Sequence, residues 1–265
     1  MLQKVRRRIL IERRRLAEWR ARAAIKANAV LWRELSSYLE QTKSTGCNMT
    51  DYWVLYREIR RHKPVEVLEC GTGVSTLVIA HALHENAAET GKVGRVTSME
   101  EVPDYLEMSR ALLPAAYQSL VDFRQSGRTD DCLSLFRGVR YEAIPERPYD
   151  FVFVDGPSYV SPQDGTPTFD FDYLHVLRRS SSPVRALVDK RVSTCFAFQQ
   201  ILGCEKVRYD PVRHLGFVAP CTQADLGVLE TKLWSANFVS SFRAVTKTRL
   251  YMTPTADARA ARQYR

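Results

Sequence analysis

The sequence predicts a doubly wound α/β fold, in which a mainly parallel sheet carries helices on both faces and follows a helical extension. Two observations predict the sheet. Between residues 65 and 220, short apolar segments alternate with helical segments. One apolar segment, Tyr149–Asp155, is rich in β-favouring residues and precedes a Gly-Pro turn. A third observation predicts the extension, because Met1 to Thr45 contain no glycine or proline and are dominated by Ala, Leu, Arg and Glu.

The strands follow from short apolar runs that are bounded by turn or helix signals. We expect five of them to be parallel, at Val65–Glu69, Arg95–Met99, Leu120–Gln125, Tyr149–Asp155 and Val184–Asp189. Lys206–Tyr209 and Gly216–Ala219 are expected to form a terminal hairpin around Asp210-Pro211.

The helices follow from helix-favouring composition and from stop signals such as Pro64. We expect them in the α/β region at Asp51–His62, Ser75–His84, Pro103–Leu113, Phe171–Arg178 and Thr194–Leu202. After Cys221 the pattern weakens to one helix at Ala224–Trp234, a strand near Lys247–Met252 and a basic tail. The chain is thus divided into a basic amphipathic helical extension (1–45), an α/β domain (46–222) and a C-terminal extension with a helix, a strand and a tail (223–265).

The net charge of +9 is concentrated at the amino end of the chain. Residues 1–26 contain ten lysines and arginines against two acids, so the other residues are nearly neutral. Three roles stay open for residues 1–40. In the first, their apolar stripe, interrupted at Glu12 and Lys26, packs on the body or on a second copy in a homodimer. In the second, Trp19 and the arginines lie on an anionic membrane surface. In the third, the arginines bind nucleic acid.

The composition also excludes several classes of protein. No apolar run approaches the length of a transmembrane helix, and the amino end has no apolar core of a secretory signal. The six cysteines show no C-x-x-C spacing, which favours reduced thiols over a zinc site or a disulfide scaffold. We therefore expect a cytoplasmic protein, peripheral to the membrane if the extension binds lipid.

A Gly-x-Gly turn joins the first parallel strand to its helix. Gly71 and Gly73 allow the backbone to approach a ligand closely, and the helix that follows offers free N–H groups. A dinucleotide fingerprint would have a third glycine where Thr76 stands, and Glu69 would repel a pyrophosphate. The turn therefore indicates either a ligand with a positive amino group or a simple strand–helix connection.

Acidic residues end the next strands of the predicted sheet. Glu100 and Glu101 follow the second strand, where a carboxylate can take both hydroxyls of a ribose; we prefer Glu100 because it is nearer the strand end. Asp155 ends Tyr149–Asp155, and Asp189 and Lys190 end the following strand. Since ligands of open α/β sheets bind at the carboxyl ends of strands, we expect these side chains to share one crevice.

Together, these stretches resemble the class I S-adenosylmethionine-dependent methyltransferases over residues 65–220. The version with E-C-G-T-G-V-S-T and F-V-D-G-P looks like a bacterial subgroup that often acts on sugars or small molecules. The resemblance implies a Rossmann-like methyltransferase fold and a cofactor site at Glu69, Gly71, Gly73, Ser75 and Glu100. It places the adenine near Gln125-Ser126-Gly127, with Ser126 as its contact.

The strand Y-D-F-V-F-V-D also resembles the metal-dependent catechol and caffeoyl-CoA O-methyltransferases. Asp155 and Asp189 match two ligands of their divalent metal. Lys190 stands at the third ligand position, where an ammonium only donates, and Ser158 replaces the lysine base. Both departures argue against a metal.

We expect methyl transfer from S-adenosylmethionine to a small molecule or saccharide, at oxygen. Asp155 is the candidate base; Lys190 is a second base if its pKa is depressed, or else orients an anionic acceptor. Tyr159 and His214 are candidates for the acceptor pocket, with exposed or structural roles as the alternatives. A nucleic-acid methyltransferase recruited by the basic extension, or a non-catalytic binding module with this fold, are the rival functions.

Overall fold

A computed structural model describes residues 2–42 and 47–226 of the chain. The strands in this part are β1 (Glu66–Cys70), β2 (Arg95–Glu100), β3 (Val121–Gln125), β4 (Arg128–Leu133), β5 (Phe136–Tyr141), β6 (Phe151–Val154), β7 (Val184–Asp189), β8 (Val207–Asp210) and β9 (Leu215–Cys221). Seven of them form one sheet in the order β3-β2-β1-β6-β7-β9-β8. The first five of that order are parallel, and β9 is antiparallel to β7 and β8. This confirms the predicted doubly wound, mainly parallel fold.

Helices cover both faces of the sheet. They are α1 (Leu2–Ala27), α2 (Ala29–Gln41), α3 (Met49–His62), α4 (Val74–Thr90), α5 (Pro103–Leu112), α6 (Asp172–Leu177), α7 (Val192–Leu202) and α8 (Gln223–Leu226), with a 3₁₀ helix at Ala115–Leu120. Successive strand residues point to opposite faces. In β1, Val67 therefore packs in the core formed with α1 to α4, whereas Leu68 packs in the core formed with α6 and α7.

The strand register brings the functional ends of the strands together. Cys70, the last residue of β1, pairs with Met99 on β2 and with Val154 on β6. Val154 pairs in turn with Val188 on β7. Because all these strands are parallel, the residues that follow them meet at one edge of the sheet.

The basic extension is two helices rather than one. Asn28 ends α1 and caps α2, because its side chain accepts a hydrogen bond from the Leu31 N–H. Ala21 and Ile25 of α1 are buried in the same core as α3 and α4. As far as Trp19, α1 keeps large apolar side chains exposed. The described part of the extension thus packs on the body through the carboxyl end of α1 and through α2.

Other sequence predictions were confirmed or corrected. The terminal hairpin is present as β8 and β9. The antiparallel hairpin of β4 and β5 was not predicted, and α4 continues to Thr90 where a shorter helix was expected. The expected helix at Ala224–Trp234 overlaps α8; its remainder, the strand near Lys247–Met252 and the tail lie outside the described residues. No described helix combines the length and the apolar character needed to span a bilayer.

Candidate active site

The Gly-x-Gly turn packs directly on the loop after β6. Gly71 has a φ of 97°, a region that favours glycine, and a Cβ at this position would lie 3.0 Å from the backbone oxygen of Asp155. A Cβ on Gly156 would in turn lie 2.9 Å from the Gly71 backbone. The turn and the loop after β6 are in such close backbone contact that glycine is required at both positions. This contact brings Asp155 beside the turn.

Thr76 explains why the third motif position is not glycine. Its hydroxyl accepts a hydrogen bond from the Gly73 N–H at 3.1 Å and donates to Oε2 of Glu69 at 2.6 Å. Ser98 donates to the same oxygen at 2.6 Å. Glu69 is fully buried, and this burial raises its pKa to about 7. Glu69 thus supports the turn from inside the fold; contact with a cofactor stays a prediction.

Glu100 lies beside the same turn. Its Oε2 accepts the Thr72 N–H at 3.2 Å, and its Oε1 accepts the N–H groups of Glu101 and Val102, both at 2.9 Å. Burial raises its pKa. Glu101 is engaged elsewhere, since it accepts the Ser158 N–H and pairs with Arg128. The structure therefore separates the two acids and places Glu100 next to the glycine turn.

The two serines predicted for the cofactor site are both buried near these groups. The Ser126 N–H donates to the backbone oxygen of Glu100 at 2.9 Å, and its hydroxyl accepts the Ala143 N–H at 3.0 Å. Ser75 lies in the first turn of α4, which begins at Val74 directly after Gly73. The end of β3 is thus tied to the end of β2.

Asp155 lies in a recess that solvent reaches. Its side chain exposes 43% of its surface, yet protein surrounds it closely, and this burial together with the charge of Asp189 raises its pKa well above the ordinary value. Arg191 holds the adjacent backbone: its guanidinium donates to the Asp155 backbone oxygen and to the Pro157 oxygen. Arg191 also pairs with the buried Asp170 at 2.5 Å. The backbone that carries Asp155 is therefore held in position while the side chain stays accessible.

Lys190 lies between two carboxylates. Its ammonium is 2.8 Å from Oδ2 of Asp51 and 3.6 Å from Oδ2 of Asp189. Burial and the neighbouring Asp189 raise the pKa of Asp51 to about 7. Burial lowers the pKa of Lys190, but Asp189 and Asp51 outweigh it, and the net direction is upward. The depressed pKa that a lysine base requires is therefore not found, and Lys190 is held as a cation.

The two candidate acceptor-site residues, Tyr159 and His214, lie on different sides of the crevice. Tyr159 is 40% exposed, and the Arg191 guanidinium lies 5.7 Å from the centre of its ring. His214 occupies the β8–β9 loop at a φ of 60°, and its backbone oxygen accepts the Lys190 N–H at 2.8 Å. Its Nε2 is buried and has no hydrogen-bond partner among the described residues. His214 is thus linked to Lys190, and Tyr159 to Arg191.

A metal finds no ligand set in the described part of the chain. No group of three or more His, Cys, Asp or Glu side chains is arranged there to hold a metal ion. Next to Asp189, the Lys190 ammonium supplies a positive charge within the carboxylate cluster. The residues present therefore do not fit the metal of the catechol-type enzymes.

Three residues of the site were missed in the sequence. Asp51 and Tyr52 stand at the start of α3. Burial raises the pKa of Tyr52, and Cys47 and then the charges of Asp51 and Asp155 raise it further. No motif marks them, because α3 precedes the sheet in the chain. Arg191 could have been found, since it directly follows Lys190 at the end of β7.

Comparisons with known proteins agree with this architecture. Residues 68–182 match the family model described as a methyltransferase domain. Residues 68–182 therefore carry a methyltransferase domain, and the strand order of their sheet is that of a doubly wound α/β fold.

Solved structures show a more distant likeness. An O-methyltransferase from Bacillus cereus in complex with SAH is 16% identical, with a TM-score of 0.40 over 75% of this chain and 77% of that chain. Cofactor-bound Rv0187 from MTB is 17% identical, with a TM-score of 0.45 over 71% and 88%. SAH-bound PaMTH1 from Podospora anserina is 18% identical, with a TM-score of 0.40 over 78% and 79%. No curated protein matches the chain. These likenesses assign no substrate to it.

Proposed function

We propose that the crevice binds S-adenosylmethionine and that the chain transfers its methyl group to a hydroxyl of a small molecule or saccharide. The observation that carries this proposal is the hydrogen bond between Oε2 of Glu100 and the Thr72 N–H, at 3.2 Å. It sets a carboxylate against the glycine turn whose backbone also contacts Asp155. A nucleoside site and a base thus border the same crevice.

Glu100 is suited to hold ribose hydroxyls. A carboxylate has about four acceptor positions. Three backbone N–H groups already bind Glu100 and fix its orientation, which leaves capacity for a hydroxyl donor. Ser126 lies next to Glu100, because its N–H donates to the Glu100 backbone oxygen, and Ser75 lies in the first turn of α4. We assign to these two serines the adenine side and the helix side of the cofactor.

Asp155 is suited to take the proton of the acceptor. When bound, S-adenosylmethionine supplies a methyl group that is activated by its sulfonium. The protein then has to position an acceptor oxygen and accept its proton. The raised pKa of Asp155 makes it a stronger base than an ordinary aspartate. Lys190, held as a cation, orients the acceptor.

Calorimetric titration with S-adenosylmethionine and with its demethylated product tests the cofactor site. We expect saturable binding by the wild type and a loss of at least about tenfold in affinity for Glu100→Ala, since a buried charged acceptor is removed. Glu107→Ala is the matched control, because Glu107 is exposed on α5 and, within residues 2–42 and 47–226, forms an ion pair with Arg110 alone. Absence of binding by the wild type, or equal affinity of the two variants, would contradict the proposal.

A further inference from the structure

A cavity of about 630 Å³ opens between α1, the start of α3 and the β8–β9 loop. It was not part of the site predicted from the sequence, apart from His214. A cavity of this size matches a small-molecule site, which commonly measures about 300–1,000 Å³. The lining residues include Arg14, Arg15, Glu18, Trp19, Arg22, Thr50, Arg213 and His214.

The cavity is strongly cationic, because four arginines and a single acid line it. The acid, Glu18, is occupied in capping α3. Its Oε1 accepts the Met49 N–H at 2.8 Å, and its Oε2 accepts the N–H and the hydroxyl of Thr50 at 2.9 and 2.8 Å. Glu18 therefore has little acceptor capacity left for a hydrogen bond from an arginine.

Two of the arginines lack a countercharge in the part of the chain that is described. Arg15 pairs with Glu12 and Arg213 with Asp210. Arg14, in contrast, donates to the backbone oxygen of Pro211, and the Arg22 guanidinium lies 5.9 Å from the centre of the Trp32 ring. Neither forms an ion pair with a described carboxylate. The positive charges of both guanidinium groups are therefore not compensated by an ion pair in the described part of the chain.

The cavity borders the carboxylate and lysine cluster directly. Thr50 in its wall precedes Asp51, which pairs with Lys190. His214 in its wall accepts the Lys190 N–H through its backbone oxygen. Burial, followed by the positive charges of Arg14 and Lys190, lowers the pKa of His214. A ligand in the cavity thus lies beside the proposed methyl-transfer site.

We propose, on the basis of the proposed function, that this cavity binds an oxyanion group of the acceptor, a phosphate or carboxylate on a hydroxylated small molecule or saccharide. Arg14 and Arg22 bind the oxyanion, and Lys190 faces the hydroxyl end of the acceptor. Charge-assisted bonds from arginine suit phosphate and carboxylate groups. The concave position of these arginines favours a small ligand over a membrane or a nucleic-acid duplex.

Paired charge variants on α1 test this proposal. Arg14→Gln/Arg22→Gln removes the two unpaired charges, whereas Arg7→Gln/Arg8→Gln removes the same charge from exposed residues that do not line the cavity. Inorganic phosphate is titrated by calorimetry into each protein, with glucose 6-phosphate, glucuronate and glucose as further probes. S-adenosylmethionine binding and circular dichroism check that each variant is folded.

We expect phosphate, and the two anionic sugars more strongly than glucose, to bind the wild type and the Arg7/Arg8 variant with equal affinity. The Arg14/Arg22 variant is expected to bind them at least about tenfold more weakly, while Arg14→Lys/Arg22→Lys retains part of the affinity. A preference for glucose 6-phosphate over glucuronate assigns phosphate as the oxyanion.

The proposal is overturned if S-adenosylmethionine binds but phosphate shows no saturable binding, or if both double glutamine variants weaken it equally. It is also overturned if those variants lose affinity for anionic vesicles or RNA in equal measure while the sugars bind unchanged, since α1 would then be a tether. Failure of S-adenosylmethionine to bind the wild type would instead contradict the proposed function.

Discussion

The Lys190 ammonium lies 2.8 Å from Oδ2 of Asp51, an ion pair that joins the end of β7 to the first turn of α3. The pair positions a helix from outside the sheet against the residues that follow the strands. It also keeps a cation among carboxylates that would otherwise repel one another. The site therefore depends on the N-terminal part of the chain as well as on the sheet.

Replacing Lys190 with methionine should destabilise the protein more in weakly alkaline than in acidic solution. Asp51, with a pKa of about 7, is ionised at high pH and requires the lysine there, but is neutral in acid. Because Lys190 is 36% exposed, the cost at about pH 8 should be about 2 kcal/mol, below the range for fully buried pairs. Urea unfolding at the two pH values measures it.

The exposed Lys92→Met is the matched control for this substitution. It is expected to change the free energy of unfolding by less than about 0.5 kcal/mol at either pH. A Lys190→Met cost that is as large at about pH 5 as at about pH 8 would contradict the electrostatic role.

Glu69→Gln should gain stability relative to the wild type as pH rises. Glu69 ionises near pH 4.5 in the unfolded chain and near about 7 when folded, so the folded protein holds its proton between these values. Wild-type stability is therefore complete below this window and declines across it, by about 3 kcal/mol. Glutamine does not titrate and escapes this decline.

Urea unfolding of the two proteins, repeated across the same pH window, checks this prediction. Glutamine also retains an oxygen that accepts the Thr76 and Ser98 hydroxyls. A difference in unfolding free energy between the two proteins that does not change with pH would show that Glu69 keeps an ordinary pKa.

Gly71→Ala should cost more stability than Gly91→Ala. Both glycines have a positive φ, of 97° and 72°, but a Cβ on Gly71 meets the Asp155 backbone at 3.0 Å, whereas nothing lies within 4 Å of one on Gly91. The backbone strain should be about 1 kcal/mol at each position. The clash should add about 1–3 kcal/mol at Gly71 alone.

Thermal unfolding of the two alanine variants measures this difference. Gly71→Ala should also weaken S-adenosylmethionine binding, since the turn and the Asp155 loop move apart. Equal costs at both glycines would show that the close contact is not required.

The sheet and its crevice could be predicted from the sequence because parallel strands leave local signals. Apolar runs mark the strands, and the Gly-x-Gly turn and Asp155 lie at strand ends. The βαβ connection brings these strand ends to one edge of the sheet. The sequence also shows that Thr76 replaces the third glycine of the motif. The role of Thr76 is seen only in the structure, where its hydroxyl bridges Gly73 and Glu69.

What the sequence did not reveal depends on contacts between distant segments. The β4–β5 hairpin turns through Ser134 at a φ of 52°, without the glycine or asparagine that usually marks such a turn. Asp51 reaches the site only because α3 packs on α4 and α1, a tertiary arrangement without a local motif. The net charge of residues 1–26 could be counted from the sequence. That Arg14 and Arg22 line a cavity could be seen only in the structure.

The fate of a labelled methyl group tests the central claim most directly. The protein is incubated with methyl-labelled S-adenosylmethionine and an extract of the cells that produce it, and the label is counted in small molecules, RNA, DNA and protein. We predict label in hydroxylated small molecules with the wild type, and a loss of at least about a hundredfold with Asp155→Asn, which still binds the cofactor. Label confined to nucleic acid, or cofactor binding without transfer to any fraction, would contradict the account.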